Sequence, residues 1–303
     1  LTGLVTEISQ SVKDPQAGVS VFERAKAKDM IQANSPASQQ EAMHRKVFEV
    51  GAMGSGSDYS AFIQHAGIPA LNIGYGGENG GGEYHSIYDS YDDFRRFKDP
   101  GFVYCLALAQ TAGRAVLRMA DADLLPFDYR TLYTTVKGYV QELVKKTDQM
   151  RDATASENEV IRSNSYQIAK DPRQPLAAPQ IKPEVPYLDF APLLNAVAGL
   201  DKATANWNTR IKNAAKNADD TLRLNKTLYQ AEQELLSATG LPRRSWYRHT
   251  LYAPGFYTGY GVKTMPGIRE AMEQRNWTEA QEQIKTVAAA IGKFTAYISK
   301  EIP

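Results

Sequence analysis

One cysteine, Cys105, occurs in 303 residues, so no intrachain disulfide can form. It sits within the apolar stretch Phe102 to Val116, which predicts a buried thiol in a helix core. A nucleophilic cysteine would need an electropositive, accessible setting. Excess charge is also missing: 35 Lys+Arg stand against 34 Asp+Glu, for a net charge of +1. That balance removes the electrostatic case for nucleic acid or an anionic membrane as partner. Gln110, Thr111 and Arg114 break the longest apolar stretch, so no segment is expected to span a bilayer. No H-E-x-x-H or C-x-x-C pair is present, and the four histidines, His44, His65, His85 and His249, are scattered. Zinc sites need clustered ligands.

What remains is the composition of a globular protein, 43% hydrophobic and 23% charged, long enough for two compact units. The opening "LTGLVTEISQSVKD" carries Leu1, Leu4, Val5, Ile8 and Val12 on one helical stripe, with no initiator methionine and no signal-like n-region. A helix needing a core partner from its first residue suggests a piece of a longer polypeptide. Residues 20–46 are polar, with "ANSPASQQ" expected as a loop. "RKVFEVGAM" predicts a short strand. In "GSGSDYSAFIQHAGIPALNIGY", Gly54 to Gly56 predict a turn, Ser57 or Asp58 a helix cap and Tyr59 to His65 the helix. Gly67 predicts its left-handed end, and "IPALNIGY" a buried strand bounded by glycines at 76, 77 and 80–82. Strand, turn, helix, strand is α/β grammar.

From Asp99 and Pro100 a helix is expected, with Val103, Leu106, Ala107, Ala109 and Val116 as its buried face. "LLPFDY" marks the domain boundary, giving an α/β unit over 1–125 and an all-α bundle over 126–303. Residues 152–186, polar and proline-bearing, predict a long surface connection. "RRSWYRHTLYAPGFYTGYGVKTMPG" predicts an aromatic loop between helices, and a long helix closes the chain.

His85 is the histidine whose surroundings favour chemistry. It follows a glycine run after a predicted strand, where open α/β sheets place their sites. Tyr84 could donate a hydrogen bond to a developing oxyanion, and Glu83 or Asp89 could orient the imidazole.

"GSGSDYSAFIQHAGIPALNIGY" followed by "YHSIYDSYDDFRRFKDPGFVYCLALAQ" resembles the last part of the catalytic domain of di-zinc exopeptidases, in particular the glutamate carboxypeptidase II group, also called prostate-specific membrane antigen-like. "LLPFDY", "GLPRRSWYRHTLYAPG" and "TMPGIREAM" resemble the transferrin-receptor-like helical dimerisation domain that follows it, so the likeness covers essentially the whole chain. The resemblance implies that His85 is the last zinc-binding histidine and that Tyr84 contacts the tetrahedral intermediate. It also implies that Asp58 and its turn line the site and that Tyr260 is a substrate-side tyrosine from the helical half. Ser57 falls at an asparagine-like substrate-binding position. Asn72 and Gly74 stand where glutamate-selective members carry two carboxylate-clamping arginines, and Gly259 stands at their lysine. A carboxylate pocket needs the bidentate guanidinium that Asn and Gly lack.

By the same resemblance the intact enzyme holds two zinc ions. The remaining ligands and the general-base glutamate are expected upstream of Leu1, since no His-x-Asp or Glu-Glu pair occurs here. The expected function is thus the C-terminal portion of a zinc-dependent exopeptidase acting on peptides, with aminopeptidase-type specificity as the expected form, and inactive as this chain alone. A homodimer through 126–303 and an extracytoplasmic location are also implied. The competing reading is a non-catalytic, receptor-like or scaffold relative dimerising through the helical half. An upstream His-x-Asp and Glu-Glu pair would decide for the enzyme.

Overall fold

The computed structural model describes residues 1–77, 82–175 and 177–301. It divides into two compact units: residues 1–51, 71–128 and 215–225 form one, and residues 52–70, 129–214 and 226–303 the other.

In the first unit, α1 (Thr2–Ser11) buries Leu4 and Ile8, and Val12 just past its end is also buried, as the stripe predicts. They meet Ala107 and Ala115 of α5 (Val103–Ala120), with Ile73, Tyr75 and Met119 packed around them. Tyr75 and Thr111 share a hydroxyl hydrogen bond of 2.9 Å at that seam. Between them, α2 (Val21–Gln32) is capped reciprocally by Ser20 and Glu23, and α3 (Pro36–His44) by Ser35 and Ser38. The expected loop "ANSPASQQ" is therefore mostly helix: Ser35 caps it, and Pro36 occupies a first-turn position where its missing N–H costs nothing. The short α4 (Tyr91–Asp93) runs into a π-helical turn, Phe94–Lys98. Asp99 then accepts from the backbone of Tyr104 (3.1 Å) and Cys105 (2.8 Å), tying down the start of α5.

Three expectations for this unit are corrected. The predicted strands at 45–53 and 68–75 form no ladder, because no partner strand lies beside them among the described residues. The described residues are mostly helical, with one small two-stranded sheet elsewhere, and they form no ladder in this unit. Residues 71–75 nevertheless alternate, Leu71, Ile73 and Tyr75 half-buried against Asn72 and Gly74 exposed. Cys105 is exposed. Desolvation first, and the neighbouring Asp99 carboxylate second, push its thiol above the ordinary cysteine range, away from reactivity. On α5 only Ala107 of the expected face is buried, while Val103, Leu106 and Val116 are exposed. The helix is apolar on more than one side, so the residue pattern left its buried stripe underdetermined.

The second unit is a helical bundle. Its spine is α6 (Tyr129–Arg162), 34 residues long, which absorbs residues 152–162 expected as connection. A short α7 (Ser165–Ile168) follows, then α8 (Ala191–Thr204), α9 (Trp207–Ala214), α10 (Ala218–Gln230, whose first part belongs to the other unit), α11 (Pro266–Glu273) and α12 (Trp277–Glu301). The last packs on α8 and α11, and α6 on α8. Tyr129 sits between Trp207 and Phe294, ring centroids 4.9 and 5.0 Å away, and donates its hydroxyl to the Leu228 carbonyl at 2.6 Å. Leu143, Leu193, Leu200 and Ile298 complete a dry core. The segment expected as an aromatic loop contains an antiparallel hairpin. Here β1 (Tyr252–Pro254) pairs with β2 (Val262–Thr264) across a glycine-rich loop, with Tyr252 opposite Thr264. No described helix is long and apolar enough to cross a membrane.

Candidate active site

In the bundle unit, two loops are clipped together. Residues 59–66 are helical, and the π-helical stretch Ala61–Ala66 ends at Gly67, whose left-handed backbone (φ 65) is the terminator expected there. The buried Gln64 side chain donates to the carbonyls of Met53 (3.0 Å) and Gly54, while its backbone oxygen accepts from Arg248 (2.8 Å) and His249 (3.1 Å). This fixes the 53–58 turn against the 248–262 segment. Ser55 N–H then donates to the Tyr260 carbonyl at 3.0 Å. A Cβ on Gly56 would come 3.3 Å from the Tyr260 ring. Ser57, Asp58 and Tyr260 therefore share one exposed corner. Ser57 and Asp58 close the following turn through their carbonyls, which accept from Ser60 and Ala61, rather than as side-chain caps.

In the other unit, Tyr84 and His85 stack with ring centroids 3.8 Å apart, and both are exposed. His85 adopts φ 63, a left-handed conformation uncommon for a side-chain-bearing residue and often found where function constrains the backbone. Lys98 grips the flanks of this pair. It bonds the Glu83 carboxylate and lies 3.7 and 3.6 Å from Asp89 and Asp93. The hydrogen bond to Lys98 holds the Glu83 carboxyl below its usual range, and the same bond raises Lys98. Glu83 and Asp89, expected as orienters of the imidazole, are thus engaged with the lysine. Asn72 and Gly74 lie together on the exposed side of the alternating segment, with open space where a Gly74 side chain would stand. Gly80 and Gly81 of the glycine run lie outside the described residues.

The four histidines separate by their partners. His249 is fully buried: its Nδ1 accepts from Leu251 N–H (3.2 Å), so Nε2 carries the proton donated to Glu232 (2.9 Å). His65 bonds the Trp246 carbonyl (2.7 Å) and stacks on its ring, and His44 bonds Gln40 (3.2 Å). Among the described residues only His85 has both ring nitrogens without a hydrogen-bond partner. Its chemistry suits a zinc ligand. The described residues bring no three His, Cys, Asp or Glu side chains into a metal-binding group. They fit one position of a zinc centre and do not compose one.

Sequence reasoning missed Gln64 and the buried Arg244–Glu270 pair that braces the Tyr260 loop. "RRSWYR" showed several arginines with nothing to mark the one that turns inward.

A family profile, the transferrin receptor-like dimerisation domain, matches residues 188–299, within the helical half. The chain is 30% identical over 256 residues to the probable glutamate carboxypeptidase LAMP1 of Arabidopsis thaliana, covering 82% of this chain and 32% of that protein. It is 35% identical over 246 residues to a probable glutamate carboxypeptidase of Arthroderma benhamiae, covering 80% and 30%. Against the aminopeptidase NAALADL1 of Mus musculus the figures are 26% over 259 residues, 80% and 30%. The chain belongs to this glutamate carboxypeptidase-like peptidase family. It spans about a third of the length of these relatives.

Proposed function

We propose that this chain is the C-terminal region of a zinc-dependent exopeptidase, in which His85 is one metal ligand. The carrying observation is that His85, held at φ 63, stacks on Tyr84 and leaves both ring nitrogens free. In such enzymes zinc supplies an activated water and a polarised carbonyl. This chain's residues present one imidazole, the Tyr84 phenol as a hydrogen-bond donor beside it, and Ser57, Asp58 and Tyr260 as a substrate-side corner. Residues 1–125 act as the end of an α/β peptidase domain and 126–303 as a homodimerising bundle. The alternating, unpaired segment 71–75 and the exposed Val103, Leu106 and Val116 support the first assignment, and the matched domain over 188–299 supports the second. The location is proposed as extracytoplasmic, on family resemblance; cell fractionation finding the protein wholly in the cytosol would reject it.

The preferred substrates are peptides with neutral or apolar ends. Asn72 and Gly74 offer no cation, and Gly259, at φ 59, is a backbone position that disfavours a lysine. The test is the full-length protein from the same gene, loaded with zinc and assayed on acidic and neutral dipeptides. Cleavage faster on neutral substrates, abolished by His85→Ala together with loss of about one zinc ion, is the expected result. Full activity and full zinc content in His85→Ala would reject the ligand assignment, and a strong acidic preference would reject the substrate assignment.

A further inference from the structure

We propose that Arg244 and Glu270 are positioning residues for the substrate-side loop: their buried ion pair sets where Tyr260 is held. The inference deepens the peptidase reading and rests on it for its catalytic consequence, but its structural half stands without it.

The loop 255–261 closes on itself, but those bonds do not fix it to the bundle. It contains three glycines, and Tyr257 and Tyr260 are exposed. Its internal bonds are all short-range: Gly255 N–H donates to Gly261 O (2.8 Å), the Thr258 hydroxyl to the same oxygen (2.7 Å), Thr258 N–H to Gly255 O (3.3 Å) and Gly261 N–H to Thr258 O (3.0 Å). What anchors it to the bundle lies underneath. Arg244 Nη2 meets both Glu270 oxygens at 2.8 Å, with the two side chains 11% and 8% exposed. Glu270 Oε1 also accepts from Phe256 N–H at 2.8 Å, and Arg244 Nη1 donates to the Pro254 carbonyl. One buried pair thus grips the chain on both sides of Gly255, where the strand turns into the loop.

The chemistry suits a brace. Glu270 projects from α11, whose packing on α12 is part of the bundle core, so the grip is referenced to rigid structure. The planar guanidinium fixes two directions at once, toward the carboxylate and toward Pro254, which a lysine could not. Five residues from Pro254 the loop reaches Gly259 and then Tyr260, whose carbonyl is received by Ser55. If the Pro254–Phe256 end shifts, Tyr260 is left to this outer clip, the ring contact over Gly56 and the strand pairing that begins at Val262. A buried pair of this kind contributes little net stability over an apolar replacement, which argues for a geometric role.

The experiment has two arms. Hydrogen exchange on the 303-residue chain compares wild type with Glu270→Gln and Arg244→Lys. Exchange of amides 255–261 rising about tenfold or more, with α12 unchanged, is expected, because one charge-assisted contact is lost at a buried site. Unchanged loop exchange overturns the proposal. If Glu270→Gln unfolds the chain, seen as faster exchange in α12, Arg244→Lys decides, since it keeps the charge and drops only the fork. In the zinc-loaded full-length protein the same variants should raise KM about tenfold with kcat nearly kept. An equal loss of kcat with KM unchanged contradicts a positioning role. Should the loop loosen while the wild type cleaves no peptide, the brace stands and the peptidase reading fails.

Discussion

A Cβ added at Gly54 would lie 1.9 Å from the Tyr260 carbonyl oxygen and 2.9 Å from Val262 N. Both are backbone atoms, so the clip between the two loops closes only if this position has no side chain. Gly54→Ala is expected to cost about 1–3 kcal/mol as overpacking, read as a lower urea midpoint. Gly74→Ala, with open space around it, should fall within about 0.5 kcal/mol and serves as the control. A comparable loss at Gly74 would show that the measurement reports glycine replacement in general. Buried charge gives a second residue-scale prediction. Burial acts to raise the Glu232 carboxyl, but the hydrogen bond from His249, with the hydroxyl of Tyr252, outweighs it and leaves the group below the usual value of 4.5. A depressed carboxyl stabilises the fold above its unfolded value and loses that contribution as pH falls through its folded value. Stability should therefore drop as acid is added below pH 4.5, and Glu232→Gln should flatten that limb. An unaltered acid limb in the variant would assign the drop to other carboxylates.

At the level of elements, legibility followed how locally each one is determined. Gly67 as a left-handed stop and the Leu4–Ile8–Val12 stripe could be read because backbone sterics and helical spacing act within a few residues. The strands expected at 45–53 and 68–75 could not be settled this way, since a strand exists only through a partner elsewhere in sequence. The hairpin Tyr252–Pro254 with Val262–Thr264 was hidden by a seven-residue loop far from the two-residue turns that announce hairpins. The C-terminal end of α6 was hidden because its polar residues face a strap, not solvent alone. There the buried Asn158 bonds Lys182 twice, Nδ2 to O at 2.8 Å and Oδ1 from N at 2.9 Å. Asn158→Ala should free residues near 182 to exchange and cost about 1–3 kcal/mol, as two backbone groups lose their partner. If amides near 182 exchange at the wild-type rate, the strap is held by Arg151 and Arg275 instead, through Val185, Pro186 and Pro183.

For the whole molecule, the site was legible as residue types and only partly as an arrangement. Tyr84 beside His85, and Ser57 and Asp58 with Tyr260, come together in two separate units, and the described residues supply a single imidazole where catalytic zinc takes about three protein ligands. The 303-residue chain by itself is therefore expected to retain less than one zinc per chain after dialysis and to cleave no dipeptide. One tightly held zinc would mean that the chain completes a site by itself. Trp207, Ile211, Leu224, Leu228, Leu235, Val287, Ile291, Phe294 and Ile298, all on apolar helical faces, are buried within the chain. They are its own core, and that accounts for most of the apolar residues on these helices. Apolar side chains that stay exposed over 126–303 include Leu222 at 72% and Tyr229 at 48% on α10, Leu194 at 50% on α8, and Trp246 at 46%. The case for a two-fold interface rests on the dimerisation-domain match over 188–299, and these residues are where a bundle partner would find apolar contact. Light scattering at micromolar concentration should give twice the 33.6 kDa chain mass. Leu194→Glu, which leaves the buried Leu193 and Val197 in place, should shift the population toward monomer without lowering the thermal midpoint of the monomer itself. A monodisperse 33.6 kDa species for the wild type would reject a homodimer formed by this chain. An unchanged dimer in Leu194→Glu would place the interface on another face of the bundle.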